Sequence, residues 1–184
     1  MIVLVPFTRS EFEEFLQRNI RHFARERVEA GDWTRREALR LSTRAHRSLL
    51  PQGLRTPSHQ LRALVDARSG LRVGETWYQV RRIGSSKELW VYWIGIREDQ
   101  RRKGYGLAAL RRLEEEARRR SVKRIALHVF GPNLGARALY AKAGFQVLEE
   151  QLGKAVRPLP PSLSGRRRPP QERNRPKARR RVRS

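Results

Sequence analysis

The chain has 184 residues and no cysteine, and its 42 Lys and Arg against 18 Asp and Glu leave a net charge of +24. That excludes disulfides, thiolate metal sites and a cysteine nucleophile, and the scattered His22, His46, His59 and His128 read as ordinary surface or half-buried side chains, with no metal site implied. The length fits one domain around one core. No apolar run reaches the ~18 residues of a membrane span, and Met1 to Val5 lacks a signal-peptide pattern, so a cytoplasmic protein with no membrane partner is expected.

Ile2 to Phe7 is a first strand, stopped by Pro6 or just after. Ser10 with Glu13 forms a capping box, and Phe12, Phe15, Leu16, Ile20 and Phe23 recur at helical spacing, so a first helix runs to about Glu29. Thr34 with Glu37 is a second capping box, and Ala38, Leu41, Ala45 and Leu49 mark a second helix that ends before Pro51. Leu61, Ala63, Val65 and Ala67 alternate with polar residues, Arg68 to Gly70 turn the chain, and Leu71 to Arg81 returns as a hairpin. Gly84 to Ser86 is the next turn and Lys87 to Ile96 the next strand, which gives an antiparallel meander. A third helix covers Gly104 to Arg119, a strand Arg124 to Phe130, and a fourth helix starts at Asn133 and ends at Gly144. A last strand opens at Phe145 and reaches Gln151.

The passage from Trp93 to Leu113 carries the chemistry. A buried strand leads through Arg101, Arg102 and Lys103 to Gly104 and Gly106, and then into a helix with Leu107, Leu110 and Leu113 inward. Glycines let a ligand approach the backbone, and helix N-terminal amides are unpaired and dipole-charged, so this is an anion site suited to phosphate. A Walker loop needs its lysine after the glycine, which this chain does not have. Gly104, Gly106 and Ala109 fit the dinucleotide fingerprint, but Arg124 to Leu127 offer no acid for a ribose, and Arg97 to Lys103 separate strand from glycines.

Arg101-Arg102-Lys103-Gly104-Tyr105-Gly106 resembles the pyrophosphate loop R/Q-x-x-G-x-G/A of the GNAT acetyltransferases. Asn133-x-x-Ala136-x-x-Leu139-Tyr140-x-x-x-Gly144-Phe145 resembles that family's second core motif, in the right order and with a strand between. The resemblance is firm from about Lys87 to Val147. It implies an α/β (α+β) fold: a mixed, mainly antiparallel sheet of six to seven strands, with about four helices on both faces. The domain would cover residues 1–156.

It also implies an N-acetyltransferase that moves an acetyl group from acetyl-CoA, as cosubstrate, to an amine of a small molecule or protein. Amides of Arg102, Lys103, Gly104, Tyr105 and Gly106 would hold the pyrophosphate, with side-chain charge from Arg101, Arg102 and Lys103. The family often has glycine where Arg102 stands. The pantetheine arm would lie along Ile94, Gly95 and Ile96, with Asn133 bonding it from the other side and Ala136 small enough to let it pass. Tyr140 is the candidate general acid for the CoA thiolate, because a phenol of pKa ~10 stays protonated beside a thiol of ~8.5; the alternative is a core aromatic. A lysine acceptor at pKa ~10.4 is disfavoured at pH 7 by roughly 4.6 kcal/mol, so a base or a desolvating pocket is needed. The family's usual strand acids are replaced by Trp90, Trp93 and Gly95, which leaves Glu75, Glu88 and Glu98 as options through water. Trp33, Trp77, Tyr78 and Trp90, with the first two helices, would form the acceptor side. The competing reading is a CoA- or nucleic-acid-binding module without efficient catalysis.

Residues 157–184 hold eleven Lys and Arg against Glu172 alone, with six prolines, and read as a disordered basic tail. It is either a solvated extension or a non-specific nucleic-acid tether. The oligomeric state is open, with a homodimer among the options.

Overall fold

In the computed structural model, which describes residues 1–154, the strands are β1 (Ile2–Pro6), β2 (His59–Asp66), β3 (Arg72–Ile83), β4 (Ser86–Ile96) and β5 (Arg124–Leu127). They lie side by side in chain order, β1 to β4 antiparallel and β5 parallel to β4. The helices are α1 (Arg9–Glu29), α2 (Arg35–Leu49), α3 (Tyr105–Arg119) and α4 (Leu134–Lys142). This is the expected mixed fold with five strands rather than six to seven. The strand expected from Phe145 to Gln151 does not form, since Glu149 and Glu150 break its apolar alternation. Met1–Gln146 make one compact unit. Val147 to Lys154 carry no helix or strand, and Val147, Leu148 and Leu152 are exposed. The basic tail at 157–184 lies outside the described residues. Among those described, no helix is long and apolar enough to cross a membrane.

Side-chain alternation along the strands sorts the core onto two faces. On one, Phe7, Phe15, Leu50, Leu61, Ala63 and Trp77 pack together under α1 and α2. On the other, Tyr78, Leu89 and Val91 meet Leu113 and Ala117, while Ile2, Leu64 and Val73 meet Ala109, all beneath α3. The helix starts follow local chemistry. Thr8, not Ser10, caps α1: its hydroxyl accepts from Glu11 N at 3.3 Å and Glu11 Oε2 accepts from Thr8 N at 2.7 Å. Thr34 and Glu37 cap α2 reciprocally, as the sequence predicts.

One irregularity shapes the rest. In the β3–β4 ladder Trp77 faces Trp93 and Tyr78 faces Val91, which leaves Tyr92 as an extra residue. Tyr92 and Trp93 therefore both lie on the α1–α2 face. A bulge of this kind bends its strand. The β4–β5 pairing runs from Glu88↔Arg124 only to Val91↔Leu127, where the bulge begins. That is why β5 stops at Leu127, short of the expected Phe130, and why β4 beyond Val91 has no neighbour on that side among the described residues.

Candidate active site

The first half of the site is the turn from β4 into α3. Arg101 Nε donates to the Ile96 carbonyl at 3.2 Å. Lys103 Nζ donates to the Asp99 carbonyl at 2.9 Å and to Gln100 Oε1 at 3.1 Å. Two of the three basic side chains thus fold back and shape the loop; the Arg102 side chain is exposed and makes no polar contact among the described residues. Arg102 and Gly104 adopt left-handed backbone, at φ 63 and φ 84. For an arginine that conformation is strained by about 1–2 kcal/mol, which explains why glycine suits this position in the resembled family. The amides of Arg102 through Leu107 find no acceptor among the described residues. Left-handed turns leading into a helix start aim such amides into an anion-binding concavity, to which the α3 dipole adds partial positive charge. Tyr105 contributes its amide alone. Its ring packs on the α3-side core and its hydroxyl donates to Asp66 Oδ2 at 3.2 Å.

Ile94, Gly95 and Ile96 occupy the free half of β4, with Ile94 and Ile96 inward under α3 and Gly95 on the opposite face. A Cβ at Gly95 would lie 2.9 Å from Trp93 Nε1, so glycine there makes room for the indole. α4 closes the other side. A Cβ at Gly106 would lie 2.9 Å from Leu139 Cδ2, so α4 reaches the start of α3 because residue 106 has no side chain. That contact brings Tyr140, the neighbour of Leu139, to the same end of the molecule. The Tyr140 ring is half-buried against Phe145 at 5.6 Å. Burial pushes its phenol pKa up, and its hydroxyl has no partner among the described residues. Asn133 Oδ1 accepts from Ala136 N at 3.1 Å, so that oxygen caps α4 and only its amide nitrogen remains free. Ala136 lies in the first turn of α4.

The second half lies on the opposite face of the sheet. A cavity of about 450 Å³ is lined by Arg18, Asn19, Arg21, His22 and Arg25 of α1, Glu75 of β3 and Trp93 of β4. Glu75 faces Gly95 across the ladder, and Arg18 Nη2 donates to its Oε2 at 2.8 Å. Burial raises the Glu75 pKa, while Arg18 and the Trp93 indole beside it pull the other way. The His22 ring stands edge-on to Trp93 at 4.9 Å.

The other residues expected at the site lie elsewhere. Glu88, the second candidate base, is buried and locked between Arg81 at 2.7 Å and Arg124 at 2.7 Å; it ties β3, β4 and β5 together and does not line the cavity. Glu98 sits in the exposed turn before the loop. The aromatics expected on the acceptor side do not line the cavity either. Trp77 and Tyr78 are core residues, Trp33 packs edge-on against Phe23, and Trp90 lies under the Arg81 guanidinium at 4.1 Å. Of the tryptophans, Trp93 is the one that lines the cavity. The α1 arginines and His22 were not anticipated. The available signal was their i, i+3, i+4 and i+7 spacing on one side of the first helix, which on sequence alone looks like a solvated face.

The family model described as acetyltransferase (GNAT) family matches residues 33–145. Bacillus subtilis YycN, described as an uncharacterized N-acetyltransferase, is 36% identical over 155 residues, 84% of this chain and 99% of that protein. Bacillus subtilis YdgE, described in the same words, is 32% identical over 153 residues, 83% of this chain and 97% of that protein. The crystal structure of YycN superposes with a TM-score of 0.81 at 35% identity, covering 86% of this chain and 100% of that one.

Proposed function

This chain belongs to the acetyltransferase (GNAT) family, and from that premise we propose that it moves an acetyl group from acetyl-CoA to a primary amine by direct attack in a ternary complex. The observation that carries this reading is the run of amides from Arg102 to Leu107 without an acceptor, next to the half of β4 that has no neighbour on its β5 side, both among the described residues. The amides suit a pyrophosphate. Each helix-terminus interaction is worth about 0.3–1 kcal/mol, so several acting together are needed. The free edge at Ile94 to Ile96 suits an extended amide-bearing arm, which adds to it as a strand would. An amide near Ile94 polarises the thioester carbonyl, and Asn133 holds the arm from the α4 side.

Attack then needs two proton movements. Glu75, directly or through one water, accepts the proton that the amine sheds, and its raised pKa brings it closer to the working pH. Tyr140 donates to the departing thiolate; burial keeps its phenol protonated. The proposed compartment is the cytoplasm, where the cosubstrate is available.

Calorimetry with acetyl-CoA tests the first half. The wild type binds in the micromolar range, and Gly104→Glu/Gly106→Glu abolishes binding. Thiol release in the presence of amines tests the second half. Tyr140→Phe lowers kcat about 10²-fold and leaves the affinity for acetyl-CoA unchanged. Binding without amine-stimulated thiol release would favour the alternative, a CoA-binding module without efficient catalysis. Failure of the folded wild type to bind would overturn the reading altogether.

A further inference from the structure

The α1–β3–β4 cavity has an uneven charge. Three arginines line it against one carboxylate, Glu75. Arg18 is already matched, by Glu75 at 2.8 Å and Glu14 at 3.7 Å. His22 is matched by Glu26 at 3.2 Å. Arg21 and Arg25, one helical turn apart, have no acidic partner among the described residues. The other acids of α1 do not serve them: Glu11 pairs with Arg72, Glu13 pairs with Arg9, and Glu29, four residues after Arg25, makes no ion pair with it. The cavity therefore offers one half-buried carboxylate and, along its α1 wall, two guanidinium groups without an ion-pair partner.

We infer that the acceptor is an anionic amine: a small molecule whose primary amine meets Glu75 and whose carboxylate or phosphate meets Arg21 and Arg25. This rests on the acetyltransferase reading above and narrows it. A guanidinium pairs with either oxyanion through two parallel N–H donors, and a charge-assisted bond of that kind is about twice as strong as a neutral one. A polyamine or an aminoglycoside brings second and third cations against Arg21 and Arg25, and like charges placed together at a binding surface are strongly disfavoured. About 450 Å³ is the size of a small-molecule site rather than of a macromolecular groove. Trp93 floors it with an apolar surface for the carbon chain between the two ends.

The test is a thiol-release assay over matched pairs: β-alanine against β-alaninamide, phosphoethanolamine against ethanolamine, and spermidine as the cationic comparison. The two anionic members separate a carboxylate preference from a phosphate preference. The expected result is a kcat/KM at least about tenfold higher for an anionic member than for its neutral partner, shrinking as salt is added. Arg21→Ala/Arg25→Ala brings that ratio toward one, Arg21→Lys/Arg25→Lys keeps part of it, and Arg21→Glu/Arg25→Glu turns the preference toward spermidine. Acetyl-CoA calorimetry on each variant shows that it is folded. Turnover of neutral or cationic amines as good as or better than their anionic partners overturns this proposal and leaves the acetyltransferase reading standing. No turnover with any amine, by a protein that binds acetyl-CoA, overturns both.

Discussion

Glu75 sits where burial and a cation compete for one carboxylate, and burial prevails. As the proposed base it must be unprotonated, so its raised pKa moves the acid limb of activity above the ordinary carboxylate range near ~4.3. In wild type kcat/KM rises with pH through that limb. In Glu75→Gln it falls about 10²-fold and the limb attributable to this group disappears, as a pH profile from 5 to 10 with one amine would read. Tyr140 is shifted upward from ~10, so the same profile shows no loss of general acid on the alkaline side below that value. His59 makes a stability prediction. Its Nδ1 accepts from the Trp77 indole at 2.9 Å, and burial lowers its pKa. The unfolded chain therefore takes up the proton first. The stability from neutral His59 is complete above ~6.5 and is lost as pH falls from there through the lower folded value. Denaturant melts at pH 7.5 and 5.0 should show that loss, and His59→Gln should reduce it to the share of His46, whose pKa burial also lowers. Sequence reading could nominate Tyr140, Asn133 and the glycines because each has a motif neighbour at fixed spacing. It reached Glu75 only as one of three acids, because what singles it out is the register opposite Gly95, a relation between two strands.

Among the elements, helices and hairpins were legible wherever local chemistry decides them. The start of α1 was not, because Thr8–Glu11 and Ser10–Glu13 offer equivalent capping boxes two residues apart. The structure uses the earlier one, so Thr8→Ala should lower stability by about 1 kcal/mol while Ser10→Ala changes it little, as urea melts would show. The α3–α4 contact makes a sharper prediction. Gly106→Ala drives a methyl into Leu139, whose flexible end must move at the α3–α4 contact. The expected outcome is a destabilisation of about 1 kcal/mol with a larger loss of acetyl-CoA affinity, and partial recovery of affinity when Leu139→Ala is added, measured as a double-mutant cycle. The bulge at Tyr92 was invisible in sequence, because Val91 to Ile94 is uniformly apolar and carries no face pattern in which an extra residue would show.

Across the molecule, positive charge is distributed by helix. α3 pairs two of its four arginines internally, Arg118 with Glu114 at 2.8 Å and Arg112 with Glu115 and Glu116. α2 has Arg35, Arg36, Arg40, Arg44 and Arg47 exposed, and its lone acid, Glu37, is spent on the Thr34 cap. Such a chain repels itself, and salt screens the repulsion. Raising NaCl from about 0.05 to 0.5 M should lift the melting temperature by a few degrees, equivalent to about 1 kcal/mol. A melting temperature that fell with salt would show that attractive pairs dominate. The fold class was legible at this scale because the order of elements and two spaced motifs agree. The strand count was not, since it depends on where the sheet stops pairing.

Materials science has a word for what Tyr92 does. It is a dislocation, an extra half-row that ends inside an ordered lattice and leaves an opening where neighbouring rows no longer meet. Removing Tyr92 would put Val91 and Trp93 next to each other with their faces already in phase, opposite Tyr78 and Trp77. The sheet could then heal, with β5 following β4 toward Ile96. The shortened chain would keep its fold and give up the stacking of Tyr92 on Trp77 at 4.5 Å, but the opening would be sealed. On this view the reactive cleft is a lattice fault held in place by one residue. Deleting that residue should leave a folded protein that no longer binds acetyl-CoA.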